Sequence, residues 1–173
     1  EAKQDSSISS SELKKFSLIS VCSGDGIEKL FRDLNVDFIV SGGQTMNPST
    51  EDFIKAIDST AAEHIFILPN NSNIILAAQQ AKEMSSKDIT VIPTKTIPQG
   101  ITSLLQFNEE ASLDENERNM TSAIDSVKTG LVTYAVRDTE INGRTIKTDD
   151  IIGLMDKEIV VNGNDISDVV IQL

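Results

Sequence analysis

Two hydrophobic textures alternate along residues 16–107. Short β-branched apolar runs at 16–21, 37–40, 64–68 and 89–92 each give way to a polar or Gly-bearing loop and then to an amphipathic stretch. The stretches carry Ile27, Leu30, Phe31 and Leu34; then Phe53, Ile54 and Ile57; then Ile74, Ile75, Ala78 and Ala81; and last Ile101, Leu104 and Leu105. Apolar residues at such spacings form one stripe on a helix, whereas a short β-branched run reads as a buried strand. Strands separated by helices pair in parallel through right-handed crossovers. The repeat therefore predicts an α/β fold, an open and mostly parallel sheet with helices on its faces. One helix start is well signalled: Pro48-Ser49-Thr50-Glu51-Asp52 places a cap residue before two carboxylates that favour the positive end of the helix dipole.

Beyond residue 107 the pattern changes. Residues 109–117 are acidic and polar and lead into a helical stretch with Leu113, Met120, Ile124 and Val127. After Gly130, residues 131–137 are strand-like, Asn142-Gly143 is a two-residue hairpin turn, and Met155-Asp156-Lys157 forms another between apolar runs at 151–154 and 158–161. Asn162-Gly163-Asn164 then turns into a helical spacing of Ile166, Val169, Val170 and Leu173. The expected organisation is a polar, serine-rich linker over 1–15, a βα-repeated subdomain over 16–107, and a smaller helical plus antiparallel part over 108–173. Both ends read as cut from a longer polypeptide, the second part being truncated at its C-terminus.

Composition narrows the function classes. The 173 residues are 39% hydrophobic but only 4% aromatic, so the core must be built from Ile, Val, Leu and Ala, as layered α/β proteins are. A net charge of −12 and a pI near 4.4 argue against a nucleic-acid backbone or an anionic membrane surface as partner. Cys22 is the single cysteine and His64 the single histidine. This removes an intramolecular disulfide and leaves little for a zinc site; with no apolar run of spanning length, a cytoplasmic setting is expected.

Three loops follow β-like runs: residues 41–48, 69–73 and 93–100. In an open parallel sheet, ligands bind beyond the carboxyl ends of the strands. The candidate recognition residues are Gly42, Gly43, Gln44, Thr45, Asn47, Asn70, Asn71, Ser72, Thr94, Lys95 and Gln99, a set of amides, hydroxyls and backbone N–H groups with one ammonium. Such residues suit a carboxylate, a phosphate or a peptide-like group; they are also what any tight strand-to-helix turn uses. Neither a Gly-x-x-x-x-Gly-Lys-Ser/Thr loop nor a Gly-x-Gly-x-x-Gly fingerprint is present. Ser23-Gly24-Asp25-Gly26 reads as a turn, His64 as structural and Cys22 as a buried, inert thiol; the acid pairs 109–110 and 149–150 read as solvated turns, and no metal is expected.

Those loops also carry a resemblance. Residues 42–52, 68–74 and 92–100, followed by Lys128-Thr129-Gly130, residues 132–139 and Asn142-Gly143, resemble the C-terminal region of bacterial Dak2-domain proteins, the dihydroxyacetone-kinase-like family. The match runs from Phe16 onward. The family includes the kinase component of fatty-acid kinase, with roles in phospholipid synthesis. The resemblance implies an N-terminal helical Dak2 domain that binds ATP and magnesium, absent from this chain, and a middle domain. It also implies a separate DegV-family protein that holds the fatty acid while its carboxylate is phosphorylated. The C-terminal domain is distantly similar to DegV proteins themselves, with Thr45 and Ser72 where such proteins hold a carboxylate.

The expected function is a non-catalytic docking or regulatory domain of that kinase, meeting the DegV-family partner or the enzyme's own N-terminal domains. The alternative is a DegV-like module that binds a small ligand or a fatty acid; an independent hydrolase or sugar kinase lacks a visible constellation.

Overall fold

The computed structural model describes residues 13–43, 46–141, 143–156 and 158–173. The chain divides into two compact units, 1–125 and 126–173.

The first unit contains β1 (Lys14–Cys22), α1 (Asp25–Asp33), β2 (Phe38–Ser41), α2 (Thr50–Asp58), β3 (Ala62–Leu68), α3 (Ile75–Met84), β4 (Asp88–Val91), α4 (Ile97–Leu104) and α5 (Leu113–Ile124). Its four strands are all parallel, in the order β2-β1-β3-β4. The chain leaves β1 toward one edge and returns across it to β3, so right-handed crossovers place the two sets of helices on opposite faces. Alternation along the strands matches: Ile19, Val21, Ile65 and Ile67 pack with Phe53 and Ile57 of α2 and Ala78 and Ala81 of α3. Leu18, Cys22, Phe66 and Leu68 pack instead with Phe31 of α1, Leu104 of α4, and Met120 and Ile124 of α5. Each fully buried large apolar side chain of this kind contributes about 1.5–3 kcal/mol relative to exposure.

The α/β reading, with an open parallel sheet and a smaller antiparallel part, is therefore what the chain forms. Local details differ. β1 begins at Lys14, which pairs with Ala62, so the last residues of the expected linker belong to the sheet. The texture of the sequence places a change at 107/108, whereas the compact units divide after Asp125, because Met120 and Ile124 fill the core and Ser103 Oγ donates to the Met120 carbonyl at 2.8 Å. Leu30 and Leu105, which the periodicity places on buried stripes, are exposed. Leu105 is the C-cap of α4, where the helical register ends.

The start of α2 follows from its residues. Ser49 caps it, with its hydroxyl accepting from Asp52 N while the Asp52 carboxylate accepts from Ser49 N at 2.9 Å. At the other end, the Lys87 ammonium donates to the carbonyls of Ile57 and Thr60, both at 2.6 Å, placing a cation on the negative end of the helix.

The second unit holds β5 (Gly130–Tyr134), β6 (Thr139–Ile141), β7 (Arg144–Ile146), β8 (Ile151–Met155), β9 (Glu158–Gly163) and α6 (Ile166–Gln172). β5-β8-β9 form an antiparallel sheet and β6-β7 a hairpin. Ile141 pairs with Arg144, and Gly143 between them takes φ +75°, while Asn142 of the expected turn lies outside the described residues. Met155, expected in the other turn, instead belongs to β8 and pairs with Glu158; Lys157 lies outside the described residues. Asn162 and Gly163, expected in a turn, are instead the last residues of β9, paired with Ile152 and Ile151, and Asp165 caps α6.

Candidate functional site

Because β1 and β3 are neighbours at the point where the strand order reverses, the loop after β3 reaches across the end of β1. Asn70 makes that reach. Its backbone takes φ +57°, a conformation that Asn tolerates better than most residues. Its side chain is then directed inward, and the residue is 4% exposed. Asn70 Nδ2 donates to Ser20 Oγ at 2.8 Å and to the Val21 carbonyl at 2.9 Å, and the Asn70 backbone N–H donates to Thr94 Oγ1 at 3.0 Å. One residue thus joins the ends of β1, β3 and β4. Asn70 Oδ1 accepts no hydrogen bond among the described residues and faces the backbone of Gly100 on α4.

Asn71 performs the corresponding task toward β2. Its Nδ2 donates to the Gly43 carbonyl at 3.2 Å and lies 3.5 Å from Asn47 Oδ1, while its Oδ1 accepts from Asn73 N at 2.9 Å. Gly42 N donates to the Cys22 carbonyl, and Gly43 N to the Met46 carbonyl. A Cβ at Gly42 would crowd the Pro48 ring, and one at Gly43 the Ser23 hydroxyl. On the far side, Lys95 N donates to Gln99 Oε1 at 2.7 Å, and Thr96 caps α4 by accepting from Gln99 N.

The three loops therefore meet at the carboxyl edge of the sheet, but their residues do different work. Asn70, Asn71, Thr94 and Gly42 are buried and hold the loops together. Asn47 and Lys95 are exposed, and Lys95 makes no ion pair among the described residues. Gly43, Ser72 and Gln99 are half-buried. Gln44 and Thr45 lie outside the described residues. Met46, next to them, is exposed.

A cleft of about 120 Å³ opens between these loops, with Val21, Ser23, Gly43, Asn71 and Ile97 among its walls. Among the described residues, no titratable side chain lines it. Cys22, at the adjoining strand end, is buried, and burial pushes its thiol up to about 11. Pockets that take drug-sized ligands measure roughly 300–1,000 Å³, so this cleft has room for a small polar group and none for a long acyl chain.

Sequence reasoning misses three contributors. Ser20 sits in a strand that reads as purely apolar, and Ser23 in a loop that reads only as a turn. Gly100 carries a recognisable signal, since a glycine inside an apolar helical period often marks close backbone approach.

His64 lies at the opposite, amino-terminal edge. It is buried, with Nε2 3.0 Å from Thr90 Oγ1 and its ring edge-on to Phe16 and Phe66. Nδ1 lies 2.9 Å from Asp88 Oδ2, but its angle leaves it outside hydrogen-bonding geometry. Histidine and threonine are closed from solvent together. No group of three or more His, Cys, Asp or Glu side chains gathers among the described residues in a way that would hold a metal. No helix among them is long and apolar enough to cross a membrane.

Residues 17–173 match the model of the FakA-like C-terminal family, a family of fatty acid kinase domains. Protein YloV of Bacillus subtilis strain 168 is 48% identical over 145 residues, covering 84% of this chain and 26% of its own length. An uncharacterized protein of Staphylococcus epidermidis is 43% identical over 159 residues, 92% of this chain and 29% of its own. Another, of Staphylococcus aureus strain USA300, is 44% identical over 154 residues, 89% of this chain and 28% of its own. The chain thus spans little more than a quarter of the length of these relatives.

Proposed function

The chain belongs to the FakA-like C-terminal family of fatty acid kinase domains, and from that premise we propose that it is a non-catalytic docking or regulatory domain. In the longer protein, ATP and magnesium are bound by an N-terminal Dak2 domain, and this domain helps the enzyme meet a DegV-family protein that presents the fatty acid. The residues at issue are Asn47, Lys95 and Gln99, with Gln44 and Thr45 in the same loop as Asn47.

One observation carries this reading. The loops at the carboxyl edge are tied into one piece by buried amides, while the groups turned outward are neutral hydrogen-bonding side chains and the Lys95 ammonium, which has no ion pair among the described residues. Such a surface orients a partner's polar groups well, and its described side chains are unsuited to proton transfer near neutral pH. The size of this cleft also weighs against a fatty acid being held at these loops.

The test is binding of this chain to a purified DegV-family partner by calorimetry. Lys95→Glu combined with Asn47→Ala should weaken binding by about tenfold, equivalent to about 1.4 kcal/mol, with no change in thermal unfolding. Full affinity in that variant would refute the docking face. Fatty acid extracted from the purified chain in stoichiometric amount would favour the binding-module reading instead.

A further inference from the structure

We propose that the outer edge of β5 is a second docking edge, which adds an extended strand from a protein partner that is apolar in its middle and bears carboxylates at its ends.

Among the described residues β5 pairs with β8 alone, so its other side presents unpaired backbone N–H and C=O groups. The side chains along it are unusually apolar for such an edge. Leu131 and Tyr134 are exposed, and Val136 just beyond is 89% exposed. A neighbouring strand would cover these side chains, and aromatic and β-branched cross-strand pairs stabilise two strands so arranged.

Charge selects the occupant. Lys128 and Arg137 flank the strand, both exposed and both without an ion pair among the described residues. Two nearby carboxylates are already engaged: Asp138 accepts from Thr148 and Lys147, and Asp156 accepts from Thr129 N. The chain carries −12 overall, yet this edge offers two uncommitted cations. Antiparallel pairing of two copies would set Lys128 of one beside Arg137 of the other, and parallel pairing would set each cation beside its own kind. Both are repulsive, so the flanking cations disfavour a second copy while attracting an acidic-ended strand. Main-chain hydrogen bonds then give affinity and the terminal carboxylates give register.

The probe is a blocked peptide of about ten residues, long enough to cover β5 and the residues that flank it on each side, alternating Val and Thr with Glu at each end. It is titrated into the whole 173-residue chain at low salt and followed by backbone amide shifts. Shifts should concentrate on Leu131 to Tyr134, and affinity should fall as salt rises. The double variant Lys128→Glu, Arg137→Glu should unfold at the same temperature, lose the Glu-ended peptide by about tenfold or more, and gain a Lys-ended one. The proposal is overturned if the native chain binds both peptides equally or neither at millimolar concentration. It is also overturned if the shifts fall outside β5, or if the native chain self-associates through this edge.

Discussion

The side-chain oxygen of Asn70 lies so close to the backbone of Gly100 that a Cβ at position 100 would overlap it. Helix α4 can approach the end of β3 only because it carries no side chain there. An Ala in a helix is ordinarily better than Gly by about 1 kcal/mol. Here Gly100→Ala should instead destabilise by about 1–3 kcal/mol in urea unfolding, because Asn70 must leave Ser20 and the Val21 carbonyl. In the background of Asn70→Ala the penalty should vanish, since the opposing group is gone. A stabilising effect of Gly100→Ala in the native background would refute the interlock.

Lys87 should matter to α2 rather than to β4, which it precedes. Replacing it with Met removes the cation from the carbonyls of Ile57 and Thr60 and leaves them without that donor. A loss of about 1–2 kcal/mol is expected, with amide exchange rising first in the last turn of α2. Unchanged exchange there would show that water replaces the lysine at no cost.

Asp138 accepts from the Thr148 backbone N–H, the Thr148 hydroxyl and the Lys147 ammonium, and these bonds bring its carboxyl from the ordinary 3.8 down to about 2. Because the folded carboxyl holds its proton less tightly than the unfolded one, its contribution is present above about pH 4 and lost as pH falls toward 2. In Asp138→Asn, protection of the Thr148 amide at neutral pH should drop and its loss between pH 4 and pH 2 should disappear. Retention of that acid-dependent loss in the variant would assign it to another group.

Cys22 gives the opposite sign. Burial, aided by Glu28, raises the thiol from 9.0 to about 11, so its contribution is complete below pH 9 and lost as pH rises toward 11. At pH 8 the native chain should react with a thiol reagent only as fast as it opens, and far more slowly than in denaturant. Equal rates in the two states would mean that the strand end is open to solvent.

The candidate surface is only half legible in the residues themselves. Asn, Gly and Thr in the three loops mark the carboxyl edge, yet they do not say which side chains face outward. Asn70, Asn71 and Thr94 have the composition of recognition residues and are buried as fasteners, whereas Asn47 and Lys95 remain available. Ser20 is hidden because one hydroxyl hardly alters an apolar run; its partner Asn70 lies fifty positions away.

Local pattern alone specifies the elements: alternating strand and helix periods over 16–107, the Ser49 cap of α2, and the hairpin of β6 and β7. Each is set by interactions within a few residues, which periodicity, caps and turn types encode directly. Long-range packing settles that β1 lies beside β3, that α5 closes the first unit, that Lys87 caps a helix about thirty residues earlier, and that Gly100 must stay bare for Asn70. Those outcomes depend on which faces bury the most apolar surface once the whole chain collapses, and on which buried polar groups must then find partners at long range.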